Sequence, residues 1–169
     1  AASLLQYRVD REPEARAKAL SYAGKNYRGA MFPWESGATG SEVCPGWAGT
    51  GQLEQHITAD IAFAAQQHWY ATRDRAWLQR VYPSLLRGTA EFWVSRVEWG
   101  GESAHINHGS PPDEYAVGGD GVYTNFVVQR NLLFATEAAL ALGETPDPSW
   151  AVTAHALPLL FDRTLGIHT

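Results

Sequence analysis

Cysteine is almost absent from this chain: Cys44 is the single one among 169 residues. That excludes an internal disulfide framework. Basic clusters are missing too. The formal net charge is −5, with 13 Lys and Arg against 18 Asp and Glu. A protein that grips nucleic acid needs a basic face to meet phosphates, so nucleic acid is not an expected partner. No apolar run approaches the ~18 residues of a membrane span, and a membrane partner is not expected either. No clear strand pattern appears, although Ala104 to Asn107 can be briefly extended. Internal repeats and low-complexity tracts are also lacking. The chain begins at Ala1 and carries no leader pattern, as an excised part of a longer protein would. A single thiol and no leader fit a cytoplasmic setting.

What is present is apolar and aromatic. Hydrophobic residues make up 45% of the chain and charged ones 18%, enough to bury a core and too apolar for disorder. Seven Trp suit either a dense core or a carbohydrate site.

The periodicity is helical. Asp10 is placed to cap a helix whose first turn holds Glu12, Pro13 and Glu14 and which Gly24 ends. A longer helix runs from Gln52 to Thr72, with Leu53, Ile57, Ile61, Ala64, Ala65 and His68 in register. Asp74 caps the next, which Pro83 interrupts or restarts and Gly100-Gly101 stops. Val122 to Leu142 forms a fourth, apolar nearly all round, with Gly143 as its stop. Asp147-Pro148 opens the last, carrying Val152, Ala156 and Leu159. The expectation is an all-α chain of five or six helices, part of a helical toroid.

Two long Gly/Pro-rich loops, 25–51 and 100–121, separate these helices. Loops of that length in a compact domain are commonly functional. One holds Phe32-Pro33-Trp34-Glu35, the other Pro112-Asp113-Glu114-Tyr115. An indole can cover a pyranose face while Glu35 takes its hydroxyls; locally, a loop anchored by an aromatic plug explains the first segment equally well. A carboxylic acid in a stiff, partly apolar setting can hold a proton for a glycosidic oxygen. A solvated acidic turn explains the second segment as well.

Other constellations carry less. His105 and His108 have metal-compatible spacing but no further ligands in a motif, so no metal is expected. His56 and Asp60, one helical turn apart, can hydrogen-bond in a structural role. Cys44 reads as a buried or idle thiol. Ser36, Ser41 and Ser110 lack a nucleophile-elbow context. Gly118-Gly119-Asp120-Gly121 lacks the Lys and Ser/Thr of a phosphate loop and reads as a turn before a helix.

Six short pieces in order resemble glycoside hydrolase family 65. They are Arg28 to Ser36; Thr39-Gly40-Ser41-Glu42-Val43-Cys44-Pro45; Glu54-Gln55-His56-Ile57 with Asp60-Ile61-Ala62; Ala90-Glu91-Phe92-Trp93 with Ser95-Arg96-Val97-Glu98-Trp99; Pro112-Asp113-Glu114-Tyr115; and Tyr123-Thr124-Asn125. The first, second and fourth are most similar to the branch acting on glucosyl-galactosyl-hydroxylysine of collagen-type proteins. The resemblance implies about half of an (α/α)6 toroid catalytic barrel, with long loops at one end. It implies Glu114 as the proton donor, Trp34 and Glu35 as the residues holding the non-reducing glucose, and inversion of configuration without cofactor or metal. Asp113 then orients the loop, and Tyr123 and Asn125 hold it. The family's general base lies well downstream of the acid. No matching motif appears between 115 and 169, so the chain is expected to carry the acid but not the base. The substrate is then an α-glucoside, possibly on hydroxylysine, and the partner is the remainder of the catalytic domain. Two alternatives stand beside the hydrolase: a disaccharide phosphorylase, and a non-catalytic sugar-binding or structural fragment.

Overall fold

A computed structural model describes residues 2–114 and 116–169. Tyr115, one flank of the expected proton donor, lies outside the described residues. Helices α1 (Ala2–Asp10), α2 (Glu12–Ser21), α3 (Thr50–Leu53), α4 (Ile57–Thr72), α5 (Arg75–Val81), α6 (Gly88–Arg96), α7 (Val122–Leu142) and α8 (Pro148–Ala156) carry the architecture. Between α6 and α7 lies a short hairpin, β1 (Glu98–Gly100) with β2 (Ser103–His105), antiparallel with Trp99 opposite Ala104. Another, β3 (Phe161–Asp162) with β4 (Ile167–His168), closes the chain.

Local chemistry explains most of these boundaries. Asp74 caps α5 by accepting the Trp77 N–H at 3.0 Å, and Asp147 caps α8 by accepting that of Ser149 at 2.8 Å. Helix α7 spans the expected residues and ends at Gly143, whose φ of +79° is the left-handed conformation that terminates helices. Pro83 does not break its helix. It sits in a π-helical stretch, Tyr82–Arg87, joining α5 to α6, where a wider turn accommodates the missing N–H.

Four expectations need correction. The helix expected from Gln52 to Thr72 is interrupted: α3 ends at Leu53 and α4 begins at Ile57. Asp10 is not an N-cap: it is the last residue of α1, a helix the sequence pattern did not reveal, and it accepts from Gln6 at 2.8 Å. Arg11 stands at the start of α2 without a side-chain cap. Gly100 and Gly101 do not stop a helix. Helix α6 ends at Arg96, and the glycines lie at the bend of the β1–β2 hairpin, where Gly101 takes a φ of +66°. Leu159 is not in α8, because Leu157 is already extended.

The core is aromatic and aliphatic. Phe32, Tyr82, Phe92, Trp93, Phe134, Leu78, Leu85, Leu86 and Leu132 are fully or almost fully buried. Each such side chain contributes ~1.5–3 kcal/mol by leaving water. Helix α7 is the hub, packing against α4, α6 and α8 and against the Tyr82–Arg87 stretch. It buries Val127, Val128, Leu132, Phe134, Ala135, Ala138 and Ala139 yet leaves Phe126 and Leu140 exposed. Helix α7 is thus covered on all but one narrow face, which carries Tyr123, Phe126, Glu137 and Leu140. No helix among them is long and apolar enough to cross a membrane.

Candidate active site

The first loop is pinned by a residue the sequence reading did not single out. The Glu42 carboxylate accepts the backbone N–H groups of Trp34 (2.8 Å), Glu35 (2.9 Å) and Cys44 (3.2 Å). The Lys18 ammonium donates to it at 2.7 Å. Burial acts to raise the Glu42 carboxyl, but the Lys18 hydrogen bond and charge and the donated N–H groups outweigh it and hold it below the usual range. The loop is therefore wrapped round an ionised carboxylate, which sets Trp34 half-buried and Glu35 exposed. Phe32, just upstream, is fully buried; its N–H donates to Thr58 Oγ1 at 3.0 Å.

Behind Trp34 stands His56, 2% exposed at the start of α4. Its Nδ1 lies 2.7 Å from Asp60 Oδ2, and its Nε2 lies 3.2 Å from Glu54 Oε2. Two aromatic rings meet the imidazole nearly at right angles, Trp34 at 5.7 Å and Tyr123 at 5.3 Å between centroids. The Tyr123 hydroxyl donates to Asp60 Oδ1 at 3.0 Å. Burial first, then the Asp60 charge and hydrogen bond, push the Tyr123 phenol up to about 12. So Tyr123 braces the His56–Asp60 pair, whereas the sequence reading put it under the acid-bearing loop.

The second loop is stitched to the residues just before α4. Ser110 N–H donates to the Leu53 carbonyl at 3.0 Å, and the Gln55 side-chain amide donates to the His108 carbonyl at 2.9 Å. The Arg96 guanidinium, 3% exposed, donates through Nε to Gln55 Oε1 at 2.7 Å and also to the Asn107 carbonyl. Asp120 secures the far side. It accepts from the Ile106 N–H at 3.1 Å and from Asn125 at 3.2 Å, and it pairs with His105 at 2.7 Å. Asn125 does support this loop, as expected. His105, spent on Asp120, is not paired with His108, and among the described residues no three His, Cys, Asp or Glu side chains group as metal ligands. Cys44 is half-buried, with its sulfur 2.8 Å from Thr50 Oγ1.

Asp113 and Glu114 are exposed on this second loop. Glu54 connects them to the first. Its side chain is fully buried, and its Oε1 has no hydrogen-bond partner. Burial raises its carboxyl; His56 pulls it back, and the Glu114 charge adds a further upward push. Trp34 thus packs on His56, which lies beside buried Glu54, and the Glu114 charge from the second loop bears on that same carboxyl. The Glu54-x-His56 and Glu42 signals were present in the sequence, but only as part of the resemblance. No local rule distinguishes a buried carboxylate that staples a loop from an exposed one.

A concavity of about 550 Å³ lies between α2, α6 and α8. Its acids are already committed, Glu91 to Arg16 and Asp147 to the α8 cap. Tyr27 and Trp150 line it beside these committed acids.

Two loops tied to a helical scaffold through Glu42, Glu54 and His56 thus carry a half-buried indole and exposed carboxylates. The chain belongs to glycosyl hydrolase family 65: the model of that family's central catalytic domain matches residues 1–157. A protein-glucosylgalactosylhydroxylysine glucosidase of Dictyostelium discoideum is 50% identical over 171 residues, covering 98% of this chain and 24% of that protein. A kojibiose hydrolase of Flavobacterium johnsoniae is 41% identical over 156 residues, covering 91% and 22% respectively. A solved structure named for kojibiose phosphorylase, from the human microbiome, superposes with a TM-score of 0.83 at 18% identity, over 99% of this chain and 24% of that one. The fold is accordingly a partial piece of an (α/α)6 barrel, as expected from the helical pattern. The chain spans about a quarter of the length of the relatives it matches.

Proposed function

We propose that the whole protein is an inverting α-glucosidase that removes glucose from glucosyl-galactosyl-hydroxylysine. Glu114 is the general acid. It protonates the departing glycosidic oxygen, and a water activated by a second carboxylate attacks from the opposite face of the ring. That chemistry sets the two carboxyl groups ~6.5–9.5 Å apart. Trp34 covers the glucose, Glu35 accepts its hydroxyl protons, and Asp113 orients the acid-bearing loop. The base comes from the remainder of the catalytic domain.

The observation that carries this reading is that Trp34 packs on His56 beside buried Glu54, while the Glu114-bearing loop is tied to the adjoining residue by the Ser110 N–H to Leu53 carbonyl bond. That supports a reading in which a half-buried indole and an exposed carboxyl serve one sugar. The substrate class follows the 50% identical relative named for that glucosidase.

A phosphorylase is the second reading, favoured by a kojibiose phosphorylase of Caldanaerobacter subterraneus that is 36% identical over 167 residues. Both readings use the same acid and differ in the nucleophile. The full-length protein is assayed on glucosyl-galactosyl-hydroxylysine and on kojibiose, with and without inorganic phosphate. Phosphate-independent release of free glucose fits the hydrolase; glucose phosphate formed only with phosphate replaces it by the phosphorylase. Glu114→Gln should lower kcat about 10²- to 10⁴-fold on these alkyl glucosides. Near-wild-type turnover of that variant would remove Glu114 as the acid.

A further inference from the structure

Buried Glu54 and His56 and partly exposed Asp60 form an array of specific geometry. His56 Nδ1 faces Asp60 at 2.7 Å and Nε2 faces Glu54 at 3.2 Å. A ring turned over would set carbon edges against both carboxylates, so the imidazole has one orientation. Tyr123 fixes Asp60 from α7 through its hydroxyl and packs its own ring on the imidazole. These bonds and the Tyr123 ring immobilise His56, and Trp34 packs against it at an interplanar angle of 71°.

The indole needs that contact. The Trp34 backbone is held by Glu42, but no described hydrogen bond fixes the side chain. An edge-to-face ring contact is what selects its rotamer. A half-buried indole packed edge-to-face with a rigid imidazole is held in a defined plane. Released from the imidazole, the same indole would sample several rotamers, and a bound sugar would have to select one of them.

We propose that His56 is a positioning residue for sugar binding: held by Glu54, Asp60 and Tyr123, it sets the plane of Trp34 on which the glucose ring stacks. The proposal rests on the reading of Trp34 as the glucose-covering residue. It makes a distinction that a purely structural histidine would not. Loss of the imidazole weakens the sugar complex and leaves proton transfer from Glu114 largely intact, so KM and kcat separate.

The test uses the full-length protein with His56→Ala and His56→Asn. Asn retains a donor that can reach Asp60 but removes the ring. Initial rates give kcat and KM on the α-glucoside, and free glucose serves as competitive inhibitor. Both variants should raise KM and the glucose inhibition constant about ten-fold while kcat falls less than about three-fold. Should the Ala variant not fold, the Asn variant decides alone. KM and the glucose inhibition constant unchanged in an active variant overturn the proposal. So does loss of kcat at constant KM, or a fall only in thermal stability and active fraction. A wild-type protein inactive on α-glucosides with and without phosphate removes the glucosidase reading and this proposal with it. An active wild type whose variants keep their KM removes the proposal alone.

Discussion

Glu42 Oε2 accepts the backbone N–H of Trp34 at 2.8 Å, across eight positions of loop. The same oxygen takes the Lys18 ammonium, while Oε1 serves Glu35 and Cys44. One carboxylate thus determines where an aromatic ring and a second carboxylate stand.

Glu42→Gln follows from that geometry. The amide keeps the volume but puts a donor where one carboxylate oxygen now accepts, and it leaves Lys18 without its partner. The full-length protein should lose ~1–3 kcal/mol of stability in denaturant titration. Its kcat/KM should fall at least about ten-fold through misplacement of the loop. Unchanged kinetics would show that the loop holds its shape without the staple.

Arg96 should tolerate little. Its guanidinium reaches Gln55 and Asn107 from a buried position and lies over the Tyr27 ring at 5.7 Å. Arg96→Met strands the Gln55 and Asn107 oxygens at ~1–3 kcal/mol each. Arg96→Lys keeps the charge but cannot reproduce the fork. Both should lower the melting temperature in calorimetry, Met more than Lys.

Gly29 should admit no side chain. Its φ is +76°, and an added Cβ would lie 2.3 Å from both the Gly88 oxygen and the Phe92 nitrogen of α6. The close approach allows Ala30 N–H to donate to the Gly88 carbonyl at 2.8 Å. Gly29→Ala should cost more than about 3 kcal/mol, read as lost soluble yield or a lower denaturation midpoint.

Asp120 predicts a pH dependence. Burial acts to raise its carboxyl, but the hydrogen bonds from His105, Asn125 and the Ile106 N–H outweigh it, so the folded value lies below the usual one. Its stabilisation is therefore fully present above the ordinary aspartate range and is lost as pH falls through the lowered folded value. Asp120→Asn should speed hydrogen exchange in residues 106–114 at neutral pH. In thermal melts its deficit against wild type should shrink toward pH 2. A deficit that stays constant with pH would show that the charge is not what matters.

The helices were largely legible because their signals are local. Val122 to Leu142 carries apolar residues at helical spacing and is closed by Gly143, and Asp74 and Asp147 precede their helices as caps. The failures were local ambiguities. Asp10 has the residue type of a cap but lies inside a helix, and Gly100-Gly101 serves a hairpin as readily as a helix stop. Pro83 suggested a break, yet a π-type turn carried the helix past it.

The candidate site divides differently. The amino-acid order alone determined that Trp34 with Glu35, and Asp113 with Glu114, lie in Gly/Pro-rich loops, because those residue types disfavour regular helix there. It also determined that the chain is helical and of this family. Only the tertiary structure decided how the two loops are linked. The connection runs through Glu42, Glu54, His56 and Tyr123, residues 42 to 123 of the chain, and each acts through hydrogen bonds or ring contacts to a distant segment. A carboxylate that folds a loop around itself and one that faces solvent are identical as letters. Burial and the donors gathered around them make the difference, and both arise only once the helices have packed.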